Sequence, residues 1–177
     1  ISDSIVWVGG SDRRLALFEN LFPIPRGVSY NSYVILDEKT ALLDTVDSSI
    51  ALQFIQNVRA TLGDKPLDYL IVNHMEPDHA ATLGDLMIRH PEATIVCNGK
   101  SLNMIRQFHC TDPKGALLVN EGDAISTGRH SFTFYNAPMV HWPEVMVSYE
   151  ESEKVLFSAD AFGTFGAVDG ALFNDEV

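Results

Sequence analysis

Apolar residues are arranged in three successive patterns along the chain. The first stretch is strand-rich. IVWVG at 5–9 is a short apolar run. SYVILD at 32–37 and ALLDTV at 41–46 flank the polar Glu38-Lys39-Thr40, which predicts a β-hairpin. Pro23, Pro25 and Gly27 break the chain just before it and predict a loop over 20–28. Strands and helices then alternate. Asp47, Ser48 and Ser49 offer N-cap oxygens, Ile50, Phe54, Ile55, Val58 and Leu62 recur at helical spacing, and Gly63 suits the position after the last turn. LDYLIV at 67–72 is almost continuously apolar, as in a strand covered on both faces. Residues 79–90 read as a helix ended by His90-Pro91, TIVC at 94–97 as a strand, and 100–108 as a short helix. After Gly115 only strands follow: ALLV, RHSFTFYNA, VMVSYE and KVLFSAD, with a hairpin turn at Glu151-Ser152-Glu153. This order predicts an α/β sandwich of two sheets rather than one doubly wound sheet.

With 177 residues, 46% of them hydrophobic, the chain has material for one core, or about one domain at roughly 150 residues each. Its 12 Lys and Arg stand against 24 Asp and Glu, a net charge of -12. Such a surface argues against nucleic acid and against an anionic membrane, both of which need clustered cations. Arg13, Arg14 and Arg26 are too few for a phosphate-binding patch. No apolar run approaches the length of a membrane span, and ISDSIVWVGG lacks the basic and apolar regions of a signal peptide. Cys97 and Cys110 form no CxxC pair and read as reduced thiols, so a cytoplasmic location is expected. The ending Phe173-Asn174-Asp175-Glu176-Val177, with no closing helix, reads as a cut through a domain.

The chemistry concentrates in Asn73-His74-Met75-Glu76-Pro77-Asp78-His79, where a buried strand runs out into a loop. Four metal-ligand side chains fall there. In extended backbone, residues i and i+2 point the same way, so His74 and Glu76 can serve one metal together. Pro77 biases Glu76 toward extended backbone and turns the chain. Asp78 and His79 are thereby redirected toward a second metal. A solvated acidic loop is the plain alternative, but burying two carboxylates side by side is costly without cations. Nitrogen with carboxylate donors suits iron, zinc or manganese. His141, between two late strands, and Asp160, after KVLFS, fit the same site. Asp160 can bridge two metals because a carboxylate has two oxygens. Each of these two alone would pass for an ordinary strand-end polar residue.

HxExDH, then a histidine, then an aspartate, all at strand ends, resembles the metallo-β-lactamase superfamily, and within it the flavodiiron proteins. Those carry Glu where the dizinc hydrolases have His. The neighbourhoods NHMEPDH, HWPE and SADAFG and the early PRGVSYNSYVILDEKTALLDTVD are similar to that family as well. The resemblance implies a metallo-β-lactamase-like αββα sandwich over residues 1–177, of which this chain would hold an incomplete, N-terminal part. It implies one iron held by His74, Glu76 and His141, and another by Asp78 and His79, with Asp160 bridging. All six would then be the catalytic residues. The family has one further histidine on the second iron, and no histidine follows Asp160 here. Nor is there a phosphate loop for FMN, so the flavodoxin-like FMN domain is expected outside this chain.

The activity implied is reduction of O2 to water, or of NO to N2O, by a non-haem diiron centre with electrons from FMN. Rubredoxin or a flavin reductase would be the electron donor, and a head-to-tail homodimer would bring FMN to the irons. Two alternatives are a binuclear zinc hydrolase of the same fold, against which Glu76 speaks, and a metal-binding fragment without turnover. Trp142, Phe162 and Phe165 read either as walls of a small apolar pocket or as ordinary core aromatics. Gly163 and Gly166 read either as letting backbone pass close to the metals or as turn glycines. His90, His109 and His130 are expected to be structural or exposed.

Overall fold

The computed structural model describes residues 1–109, 112–113 and 115–168. Cys110 and the chain end at 173–177 therefore lie outside the described residues. The elements run β1 (Ile5–Trp7), β2 (Gly10–Asp12), β3 (Leu17–Phe18), β4 (Phe22–Pro23), β5 (Val28–Tyr30), β6 (Tyr33–Ile35) and β7 (Ala41–Leu43). A 3-10 turn (Ser48–Ile50) then leads into α1 (Ala51–Leu62), followed by β8 (Tyr69–Ile71), α2 (Pro77–Ala80), α3 (Leu83–Arg89), β9 (Thr94–Cys97) and α4 (Gly99–Phe108). The remainder is β10 (Leu117–Leu118), β11 (Ala124–Ser126), β12 (Ser131–Asn136), β13 (Met146–Glu150) and β14 (Val155–Phe157).

Two main sheets result. The first has the order β1-β6-β7-β8-β9-β10 and the second β11-β12-β13-β14. The β6–β7 hairpin pairs Tyr33 with Leu43, as the two apolar runs predict. From β7 through β10 the first sheet is parallel, and α1 and the α2–α3 segment form the crossovers of its first two steps. Side chains alternate across a strand, so each apolar run serves two cores. Val34, Leu42, Leu70 and Ile95 face a core shared with Phe54 and Val58 of α1, Leu83 and Leu86 of α3, and Ile105 of α4. Their neighbours Ile35, Leu43, Ile71 and Val96 face the second sheet, against Phe132, Phe134, Met146 and Phe157. This is why LDYLIV has no polar alternation. The layers are helices, sheet and sheet; among the described residues no helix covers the outer face of the second sheet. The α/β two-sheet class is the one the pattern predicts. No helix of the described residues is long and apolar enough to cross a membrane.

Local chemistry explains where elements start and stop, and where the sequence pattern misleads. Asp47 caps the 3-10 turn by accepting from the Ser49 N–H, and Gly63 ends α1 at φ 59°. Ile50, Phe54, Val58 and Leu62 are buried, and Ile55 is half-buried. The single helix expected over 79–90 is instead two, α2 and α3. Thr82 interrupts it: its hydroxyl donates to the Val46 carbonyl and accepts from the Val46 N–H, fixing the chain between the two helices. The loop expected over 20–28 contains β4, which pairs with β3 in a small hairpin whose turn residues Glu19 and Asn20 both have positive φ. Strands β2 and β11 lack apolar runs and carry no sequence signal for a strand. His130 is fully buried and hydrogen-bonded to Glu150 at 3.0 Å, a structural role. His90 and His109 are half-buried.

Asp12 in β2 is buried and accepts from the Arg14 backbone N–H, Nε and Nη2 at 2.8, 3.0 and 2.8 Å. Arg14 also donates to the Ser49 carbonyl, tying β2 to the start of α1. The Arg14 hydrogen bonds outweigh burial and hold the Asp12 carboxyl down at about 2. A depressed carboxylate stabilises the fold above its unfolded pKa, and that gain is lost as pH falls through the folded value. The Asp12→Asn variant is therefore expected to unfold more easily at neutral pH and to show a weaker loss of stability between about pH 4 and 2. Urea melts at pH 7 and pH 2.5 check this. An undiminished loss of stability in the variant would contradict it.

Candidate metal centre

The site lies where the carboxyl ends of β7 and β8 meet the loops after β12 and β14. Three ties hold the end of β8 in place. The Met146 N–H donates to the Asn73 carbonyl, the Ser148 hydroxyl donates to Asn73 Oδ1 at 2.6 Å, and the Asn73 N–H donates to Asp44 Oδ1 at 2.7 Å. Asp44 itself turns the chain after β7 with φ 53°, a conformation Asp tolerates better than most residues. Glu76 is extended (φ -60°, ψ 147°) and Pro77 opens α2, as the Glu-Pro pair predicts. Asp78 and His79 therefore sit in a first helical turn, with the His79 ring 5.1 Å from that of His74 between centroids. Ala159, at φ 51°, turns the chain just before Asp160.

The six residues singled out in the sequence converge in two groups. One ligand atom from each of His74, Glu76, His141 and Asp160 lies within 4.8 Å of the others, and Asp78, His79 and Asp160 form a second such group. His74 Nε2 is 3.1 Å from Glu76 Oε2 and 3.1 Å from Asp160 Oδ2. His141 Nε2 is 2.6 Å from Glu76 Oε2 and 3.2 Å from Asp160 Oδ2. His79 Nε2 is 2.8 Å from Asp160 Oδ1 and 3.7 Å from Asp78 Oδ2. Asp160 thus turns one oxygen to each group. Donors on a metal with bonds of about 2.1 Å lie roughly 3 to 3.4 Å apart, close to most of these spacings. Buried Asp78 Oδ1 and Asp160 Oδ2 make no hydrogen bond, although Asp160 Oδ2 approaches two ring nitrogens. Lone pairs crowded together without hydrogen bonds fit a shared cation. The donor set, nitrogen and oxygen with no sulfur, fits iron, zinc or manganese.

The electrostatics agree. Burial pushes Asp78 up to about 6, and the neighbouring carboxylates of Asp160 and Glu76 add to that. Burial opposes charge on His74, yet Asp160 and Glu76 override it and raise the ring to about 10. His79 is likewise driven well above the usual imidazole range, against its burial, by Asp160 and Asp44. Asp160 falls well below the carboxylate range, because His74 and His79 outweigh its own burial. A site this rich in buried acid holds protons on its imidazoles when no metal takes their place, so metal binding here competes with protons.

The family model described as ODP family beta lactamase matches residues 28–176. The chain belongs to this family. The anaerobic nitric oxide reductase flavorubredoxin of Salmonella arizonae is 39% identical over an alignment of 179 positions that covers 100% of this chain and 37% of that protein. The flavodiiron protein of Giardia intestinalis superposes with a TM-score of 0.94 at 29% identity, over 100% of this chain and 43% of that one. The rubredoxin oxygen:oxidoreductase of Desulfovibrio gigas gives 0.93 at 32% identity, over 100% and 44%. This ODP-family chain therefore spans less than half the length of each of these relatives. The resemblance to flavodiiron proteins and the metallo-β-lactamase-like fold expected from the motifs both stand.

Beside the metal-ligand side chains of the ODP chain opens a cavity of about 460 Å³, lined by Glu76, Asp78, His79, His141 and Asp160 on one side and Phe18, Phe22 and Phe165 on the other. Phe165 packs on Phe18 with ring centroids 5.0 Å apart, so it is a pocket wall, as one of its two readings allowed. Phe162 does not line this cavity and is 92% exposed. Trp142 stands behind the site, its ring edge-on to His74 at 5.4 Å. Gly163 lines the cavity and closes a turn, its N–H donating to the Asp160 carbonyl at 3.0 Å, which a Cβ there would meet at 3.1 Å. Two residues the sequence did not flag enter the site: Asp44, whose Oδ2 is 3.5 Å from His79 Nδ1, and Glu144, whose Oε1 is 2.7 Å from His74 Nδ1. Tyr30, also unflagged, lines the cavity as a protonated phenol, raised by burial to about 12. Only strand-end position marked these three, and many residues share that.

Proposed function

We propose that this chain is the metal-bearing domain of a flavodiiron reductase, with one iron on His74, Glu76 and His141, the other on Asp78 and His79, and Asp160 bridging. Glu76 carries the reading. Its Oε2 lies among the ring nitrogens of His74 and His141 at 3.1 and 2.6 Å, so an anionic oxygen stands in the ligand set. Three carboxylates, Glu76, Asp78 and Asp160, offset three of the four positive charges of two divalent ions, and this hard, anionic set favours iron over zinc. When bound, the iron pair supplies electrons and open coordination positions to a diatomic substrate. The chain's own part is to hold the donors rigidly, through the Asn73 and Asp44 ties, and to wall the cavity with Phe18, Phe22 and Phe165. The substrate is O2, NO or both, and names among the relatives support each: nitric oxide reductase for one, oxygen oxidoreductase for another. FMN belongs to a flavodoxin-like domain of the whole protein, reached in a head-to-tail homodimer, with rubredoxin or a flavin reductase as donor.

The test is gas consumption by the full-length protein, supplied anaerobically with a rubredoxin, its reductase and NADH. Sustained uptake of NO or O2 is expected. Hydrolysis of a thioester or phosphodiester by a zinc-loaded protein, without gas uptake, would contradict the proposal.

A further inference from the structure

We infer that Glu144 is the positioning residue of the metal centre: it locks the ring of His74 and makes the two metal positions unequal, an inference that rests on the metal reading above. Glu144 is 1% exposed. Oε1 accepts from the Met75 backbone N–H at 3.0 Å and lies 2.7 Å from His74 Nδ1. A backbone N–H can only donate, so Oε1 is an acceptor and the proton between it and His74 belongs to Nδ1. Nε2 is then the nitrogen left to take a metal in place of a proton, and it is the one that faces Glu76 and Asp160. Glu144 Oε2 is buried without a hydrogen bond, so the Met75 N–H and the imidazole are the carboxyl group's hydrogen-bond partners, both through Oε1.

The support behind Glu144 is also built. Asn98 Nδ2 donates to the Glu144 carbonyl at 2.6 Å, while Asn98 Oδ1 caps α4 by accepting from the N–H groups of Lys100 and Ser101. Lys100 Nζ donates to the Pro143 carbonyl at 2.9 Å. A helix cap thus fixes the loop that carries both Glu144 and His141. The other buried histidine of the site, His79, is backed less firmly. His79 Nδ1 makes no hydrogen bond: Asp44 Oδ2 lies 3.5 Å away, while Asp44 Oδ1 accepts from the Asn73 N–H. The position served by His74, Glu76 and His141 therefore binds metal more tightly and releases it last. The buried charge behind His74 also favours the oxidised state of that metal.

The test uses metal-free, full-length protein titrated anaerobically with ferrous iron against a chromophoric chelator, comparing the parent with Glu144→Gln and Glu144→Ala. A roughly 10- to 100-fold weaker tight position is expected in both variants, with a midpoint potential moved to more positive values. Far-UV circular dichroism of the metal-free proteins should stay unchanged. Parent-like iron binding and an unmoved potential in folded variants would overturn the inference while leaving the metal centre intact. So would loss of fold in the near-isosteric Glu144→Gln, which would make Glu144 merely structural. A parent protein that takes up no iron at all would instead overturn the metal reading on which the inference rests.

Discussion

The His79→Ala variant of the full-length protein is expected to hold about one metal ion per chain where the parent holds about two. His79 supplies the ring nitrogen of the group it forms with Asp78 and Asp160. Without it that position keeps two carboxylates, one of them shared, whereas His74, Glu76, His141 and Asp160 still converge on the other. The backbone contribution of His79 survives the change, since its carbonyl accepts from the Thr45 N–H and hydroxyl. The fold should therefore hold, with a moderate loss of stability from the acids left unpaired around the gap. Elemental analysis beside circular dichroism checks both halves. A folded variant with parental metal content would defeat the assignment of His79.

Exchanging Glu76 for histidine is expected to turn the site from iron toward zinc, raising the zinc-to-iron ratio about tenfold or more and abolishing NO and O2 consumption. The substitution replaces an anionic oxygen by a neutral nitrogen beside His74 and His141. Of the carboxylates in the two ligand groups, Asp78 and Asp160 then remain to neutralise the metals and to stabilise a ferric ion. Pro77 still holds position 76 extended, so the new ring can point where the carboxylate did. A variant that keeps its iron and its reductase rate would show that Glu76 does not set the metal.

The parts of this molecule that were legible in the sequence are those where one local pattern had one physical meaning. LDYLIV had to be a strand covered twice, and Leu70 and Ile71 do face opposite cores. Asp47, the spacing from Ile50 to Leu62, and Gly63 marked α1 almost to the residue. His74, Glu76, Asp78 and His79 announced themselves by crowding metal-ligand types at a strand end, and the geometry brings His141 and Asp160 to them. What stayed hidden was non-local. Thr82 splits a helix through a partner at Val46, far off in sequence. Strands β2 and β11 exist because a neighbouring strand pairs with them, not because their own residues are apolar. Asp44 and Glu144 are single acids whose importance appears only when the chain closes on His79 and His74. Phe162 and Phe165, near neighbours in sequence with the same side chain, end one in solvent and one in the cavity wall, a difference set by the turn around Gly163.

The most direct test of the central claim is the metal content of the full-length protein, expressed with iron and zinc both supplied and purified without oxygen. The account predicts about two iron ions per chain and little zinc, from a nitrogen–carboxylate ligand set that includes Glu76. Two zinc ions per chain, or no bound transition metal, would contradict it.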